Sequence, residues 1–299
     1  MSNWRGVRKF VFETHIPAWA NTETLATRSG VWKSMGIDTV FLVADDGRGA
    51  TWPSTCAPID SRLAPLGGNP LRSAIETLRD SGFSVVPVLN FVGIVNQANP
   101  IRPEFILSRV ATPHYDIWNT KFVDWRISYI KECMDLCGAD ALGVDYIRSV
   151  VAQLPGQTVS KDIVSSVVQR IRESVSNSVP IYTITNSVHN LGNSQGIDPQ
   201  GWYGNGFIDG ICLFNYAETF PLEHLVNMPN NDLFILVANY YVENNVSVKY
   251  TPVQIERNAR LVMRSKRISG IGWYNANQIA YNQVSTTKNL DKMITGDSR

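Results

Sequence analysis

Eight short runs of β-branched, aromatic and other apolar residues, separated by stretches of helical periodicity, leave this chain few folds to adopt. They are "KFVFE" (9–13), "TVFLVA" (39–44), "SVVPVLNF" (84–91), "ALGVDYI" (141–147), "PIYTIT" (180–185), "GICLFNY" (210–216), "LFILVANY" (233–240) and "GIGWYN" (270–275). Most are apolar without interruption, as strands covered on both faces must be, whereas a strand with one wet face alternates. Strand–helix alternation along the whole chain implies a parallel sheet with helices outside it, and eight parallel strands close into a barrel. The expected architecture is an α/β (β/α)8 TIM barrel, a single domain over residues 1–299.

The intervening segments carry helix punctuation. In "NPLRSAIETLRDSG", Asn69 is placed to cap, Pro70 to occupy the first helical position and Gly82 to end the helix. Thr251, Pro252 and Gln254 form a capping-box pattern. Val123, Ile127, Ile130, Met134 and Cys137 recur at helical spacing, as do Val164, Val168, Ile171 and Val175. Such stripes lie against a sheet, and core packing accounts for them. Trp32 and Trp125, inside helical segments, are expected in the core.

Charge narrows the function. With 27 basic and 26 acidic residues and no basic block, nothing favours nucleic acid or an anionic membrane. No apolar run has the roughly 18–20 residues that span a bilayer, and the start, "MSNWRGVRKFVFETH", lacks the apolar segment and cleavage site of a signal peptide. The compartment stays open, as does the oligomeric state. Cys56, Cys133, Cys137 and Cys212 lack zinc-site spacing and read as reduced, packed thiols. No glycine-rich phosphate loop follows a strand, so no nucleotide cofactor is implied.

The strand ends are polar. In a parallel barrel the carboxyl ends of the strands and the loops that follow form the mouth where sites are built. Asp145 stands near the end of the fourth run, and an unpaired carboxylate in the packed interior would cost several kcal/mol, so the mouth, or a pairing with Arg148, is where it belongs. Glu13, Asp45, Asp46, Arg48, Asn90, Asn215 and Glu218 follow or close other strands, accompanied by Trp52, Tyr240 and Trp273. Carboxylates, amides and flat rings around one cleft suit a neutral sugar polymer, because rings stack on pyranose C–H faces and a carboxyl pair can cut a glycosidic bond.

Two stretches resemble a known group. "MGIDTVFLVADDGRGATWPSTCAPIDSRLAPLGGNPLRSAIETLRDSGFSVVPVLNF" (35–91) is similar to the second and third βα units of the glycosyl-hydrolase-like barrel families. These include family-10-like glycosidases and the hydrolase domain that cuts partly deacetylated poly-N-acetylglucosamine. "GVDYIRSV" resembles their "FDYIRFP"-type fourth-strand motif, which implies that Asp145 is the catalytic carboxylate. "SVV" stands where the motif's proline is expected. Family-18 chitinases carry D-G-x-D-x-D-x-E on this strand; here Ile147 falls at the glutamate, which excludes a mechanism of that type.

The expected activity is hydrolysis of glycosidic bonds in a polysaccharide without a cofactor or metal. Asp145 would serve as nucleophile or base, with Glu218 or Asp46 as proton donor. Arg148 would orient Asp145 and keep its pKa low. Glu13, Asp45, Arg48, Trp52, Asn90, Arg148, Asn215, Tyr240 and Trp273 would contact substrate, with Trp52 and Trp273 as the preferred stacking platforms. Two alternatives remain: a carbohydrate-binding barrel without catalysis, and a metal-dependent hydrolase using His15 with Asp45 or Asp46.

Overall fold

The chain folds as a (β/α)8 barrel. The structure is a computed structural model that describes residues 8–93, 101–107, 114–149, 159–186, 195–215, 233–238, 240–243, 246–263 and 268–274. The strands are β1 (Arg8–Glu13), β2 (Thr39–Asp45), β3 (Ser84–Asn90), β4 (Leu142–Asp145), β5 (Ile181–Asn186), β6 (Gly210–Asn215), β7 (Leu233–Ala238) and β10 (Ile268–Tyr274), closed in the order β1-β10-β7-β6-β5-β4-β3-β2. All eight runs read from the sequence became barrel strands. A two-stranded antiparallel ribbon, β8 (Tyr240–Glu243) and β9 (Val246–Lys249), follows β7 and was not anticipated.

The helices form where their caps direct. Asn21 accepts the Thr24 N–H to open α2 (Thr22–Ser34), after the single-turn α1 (Ile16–Trp19). Asn69 accepts the Arg72 N–H at the start of α3 (Pro70–Asp80), and Gly82 beyond its end has φ 78°. Asn119 caps α4 (Thr120–Cys137), closed by left-handed Gly138, and Ser160 caps α5 (Lys161–Ser174). After α6 (Pro199–Gly204), Thr251 and Gln254 exchange capping-box bonds at the start of α7 (Pro252–Met263). Among the described residues no helix is long and apolar enough to cross a membrane.

The packed interior has two layers. Facing the lumen are Phe10, Phe12, Phe41, Val43, Val86, Val88, Ile184, Cys212, Phe214, Phe234 and Leu236, with Tyr182 and Tyr274 against them. The alternate strand residues, among them Val11, Leu42, Leu89, Val144, Leu213 and Trp273, join the helices in an outer core that includes Trp32 and Trp125. Large rings in the lumen require small neighbours. A Cβ on Gly272 would overlap the Phe10 ring, and one on Gly143 would stand 2.8 Å from Val88 Cγ2. Fully buried rings contribute about 1.5–3 kcal/mol each, so these glycines make room for much of the lumen's stabilisation. The four cysteines are free thiols; Cys133, Cys137 and Cys212 are buried.

Candidate active site

Asp145 is the last residue of β4, in register with Asn90 of β3 and with lumen-facing Ile184 of β5. Its side chain therefore tops the lumen layer at the carboxyl ends of the strands, the position expected from the sequence. The carboxyl is half-buried and its Oδ1 accepts the Tyr146 N–H at 2.7 Å. Buried Cys212, in register with Ile184, lies close enough to feel its charge. Burial pushes the Asp145 pKa up to about 7, against the Tyr146 hydrogen bond and the field of Arg148, which both lower it. Desolvation wins because the Tyr146 hydrogen bond and a cation that does not pair with the carboxylate do not replace the water its ionised form loses.

That corrects the expected role of Arg148. It forms no ion pair with Asp145; its guanidinium lies 4.7 Å from the Tyr146 ring centroid, and Nη1 donates to Gln195 Oε1 at 3.4 Å. Tyr146 has φ 54°, the one non-glycine residue with positive φ among the described residues. The conformation turns its N–H back to Asp145 while 39% of the residue stays exposed. Left-handed backbone costs a tyrosine on the order of 1 kcal/mol or more and tends to persist where function uses it. Gly93 packs against the ring: a Cβ there would be 3.1 Å from Tyr146 Cγ.

Asp45 is not a mouth residue. It is fully buried and ion-paired with Arg126 of α4, which is 1% exposed. Asp45 Oδ1 also accepts the Gly47 N–H at 2.7 Å. A register shift between Val43 and Asp45 sets Asp45 beside Leu89, a residue of the outer core, so one irregular step carries the carboxylate outward. Arg126 Nη2 also bonds the Asn90 carbonyl, and Asn90 Nδ2 donates to the Asp45 carbonyl at 3.0 Å. This network ties the ends of β2 and β3 together and holds Asn90, 7% exposed, next to Asp145.

Three further expectations are corrected in the same way. Glu13 shares the outward side of β1 with Val11, is fully buried, and is bound by Arg28 of α2 and the His15 N–H. Trp52 is fully buried, its ring centroid 4.6 Å from that of Tyr129 and its Nε1 donating to Glu132 Oε2 at 3.1 Å. Neither reaches a substrate. Trp273 is 2% exposed in the outer core, while the next residue, Tyr274, faces the lumen and packs its ring on Phe12 and Phe214. Tyr274 and Tyr146 are the mouth aromatics that sequence reading passed over. Gly270 and Gly272, at the alternate positions of "GIGWY" that Tyr274 continues, were the available signal for the first.

Asp46 stays beside the mouth loop after β2. Arg62 bonds it at 2.8 Å and Arg48 Nε lies 3.7 Å away, while Arg62 also pairs with buried Asp60. Burial raises the Asp46 pKa, with Arg62 opposing. Glu218 lies outside the described residues, and so do the side chains of Asn215 and Tyr240. The donor set of a metal hydrolase does not assemble: Asp45 is committed to Arg126, and no group of three His, Cys, Asp or Glu side chains among the described residues could hold an ion.

The fold is shared with glycoside hydrolases. The glycoside hydrolase domain of PgaB (BpsB) from Bordetella bronchiseptica superposes with TM-score 0.70 at 10% identity, over 96% of this chain and 99% of that one. A class V chitininase from Pseudomonas fluorescens Pf-5 gives 0.59 at 8% identity, over 94% and 98%. A GH18 chitinase from Pseudoalteromonas aurantia gives 0.55 at 12% identity, over 95% and 99%. The resemblance to glycosyl-hydrolase-like barrels is thus met at the level of fold. No protein-family model and no curated protein matches the sequence.

Proposed function

We propose that this protein hydrolyses glycosidic bonds in a polysaccharide, with Asp145 as the proton-transferring carboxyl. The observation that carries the reading is a carboxyl at the end of β4, facing the barrel mouth, with a pKa raised to about 7. A carboxyl half-protonated near neutrality is suited to donate to a leaving oxygen and to take the proton back. This revises the role expected from the sequence: Asp145 fits the acid better than the permanently ionised nucleophile. Its partner carboxylate would be Glu218 or Asp46. A retaining pair stands about 5–5.5 Å apart and an inverting pair about 6.5–9.5 Å. The expected test is release of reducing ends from a panel of soluble polysaccharides. Asp145→Asn should abolish release while its thermal melt stays cooperative, and near-wild-type release by that variant would remove Asp145 from the chemistry.

One observation favours the non-catalytic alternative. Asp46, the described candidate for the second carboxylate, is already engaged by Arg62 at 2.8 Å. A binding barrel would retain oligosaccharides indefinitely without product, so any cleavage that depends on Asp145 excludes it.

A further inference from the structure

We propose that Arg148 is a carboxylate-reading subsite beside Asp145, so that the polysaccharide taken at this mouth carries a uronic acid at the sugar next to the bond attacked. The inference rests on the carbohydrate reading above and changes the expected substrate from a neutral polymer to an acidic one. Its basis is an arginine without a counterion among the described residues. Four other arginines of low exposure each pair with a carboxylate: Arg28 with Glu13, Arg62 with Asp60, Arg126 with Asp45 and Arg172 with Asp209. Arg148 is half-buried, and no ion pair of the described residues includes it. Among the described residues its Nε is buried with no partner, and the hydrogen bond it makes, to Gln195, is long at 3.4 Å. Removing a guanidinium from water without an anion is unfavourable, and a bound anion would recover that cost.

The group is also held in place for such a ligand. The Tyr146 ring fixes the guanidinium from one side at 4.7 Å, Gly93 packs the ring, and the Tyr146 N–H is spent on Asp145. Pre-organisation of this kind lowers the ordering cost of binding. A planar guanidinium edge matches a planar carboxylate with two parallel hydrogen bonds, whereas a neutral hydroxyl offers one. Asp145 does not fill that place: it makes no ion pair with Arg148, and its raised pKa leaves it partly neutral near pH 7. Arg148 nevertheless lies near enough for its charge to act on that carboxyl, so an anion bound to it would sit within a sugar's reach of the candidate acid.

The test is binding of oligouronates to the full chain by calorimetry. Hyaluronan, oligogalacturonate and oligoalginate fragments would each be paired with the carboxyl-reduced, neutral form of the same fragment. At least one acidic member should bind roughly tenfold or more tighter than its reduced partner, as expected for a charge-assisted pair. Arg148→Gln should erase that preference by weakening the acidic member roughly tenfold more than the neutral one, and Arg148→Lys should restore part of it. Equal affinity within every pair, or a preference that survives in Arg148→Gln, would overturn the proposal, as would weakening of acidic and neutral members alike, which marks a purely structural arginine. The hydrolase reading fails separately: acidic preference without any cleavage would leave the subsite standing and remove the enzyme.

Discussion

Replacing Asp145 with asparagine should stabilise the fold in alkali and leave it nearly unchanged in acid. The folded-state pKa of about 7 stands above the ordinary 3.8 of an exposed aspartate, so the folded chain holds this proton more tightly than the unfolded one. The favourable contribution is complete below about pH 4 and is lost as pH rises through 7. Each factor of ten in proton affinity is worth about 1.4 kcal/mol, so ionising Asp145 in the folded barrel costs ~4 kcal/mol. Asparagine has nearly the same shape, its carbonyl oxygen can still accept the Tyr146 N–H, and it cannot ionise. Urea unfolding of both proteins at about pH 4.5 and pH 8 should therefore show the variant gaining on wild type by about 3 kcal/mol between the two conditions. A gap that stays constant to within about 0.5 kcal/mol would show that the carboxyl is hydrated, and the acid role proposed for it would lose its physical basis.

Two other substitutions test the frame around the site. Arg126→Met leaves the fully buried Asp45 without its cation and should cost about 3–5 kcal/mol in urea unfolding; adding Asp45→Asn should recover part of that, and a loss under about 1 kcal/mol would deny the network its role. Gly272→Ala sets a methyl group against the Phe10 ring, which Phe41 and Phe234 hold in turn. Overpacking of this kind should lower stability by about 1–3 kcal/mol, read as a fall in melting temperature, and an unchanged melt would mean the lumen has slack.

Glu218 and the side chains of Asn215 and Tyr240 have no described counterpart, so their expected roles rest on the sequence. Elsewhere, what could be read depended on how local the signal was. Caps such as Asn69 and the Thr251–Gln254 box are decided within four residues, and they formed as written. The end of β4 could also be read, because a carboxylate closing an apolar run has few tolerable destinations. Arg126 could not: an arginine in a helical stripe reads as a solvated residue until its partner, 81 positions away, is known.

By itself, then, the sequence determined that eight runs would become parallel strands, that helices would cover them, and that Asp145 would stand at a strand's carboxyl end. It did not determine which alternate residues face the lumen. A barrel strand is buried on both faces, so an unbroken apolar run carries no mark of inside and outside. The tertiary structure made that choice: one register shift sends Asp45 outward to Arg126, and strand alternation hides Trp273 while offering Tyr274. The proton affinity of Asp145 is tertiary for the same reason, since it is set by the water that Cys212, Ile184 and their neighbours exclude.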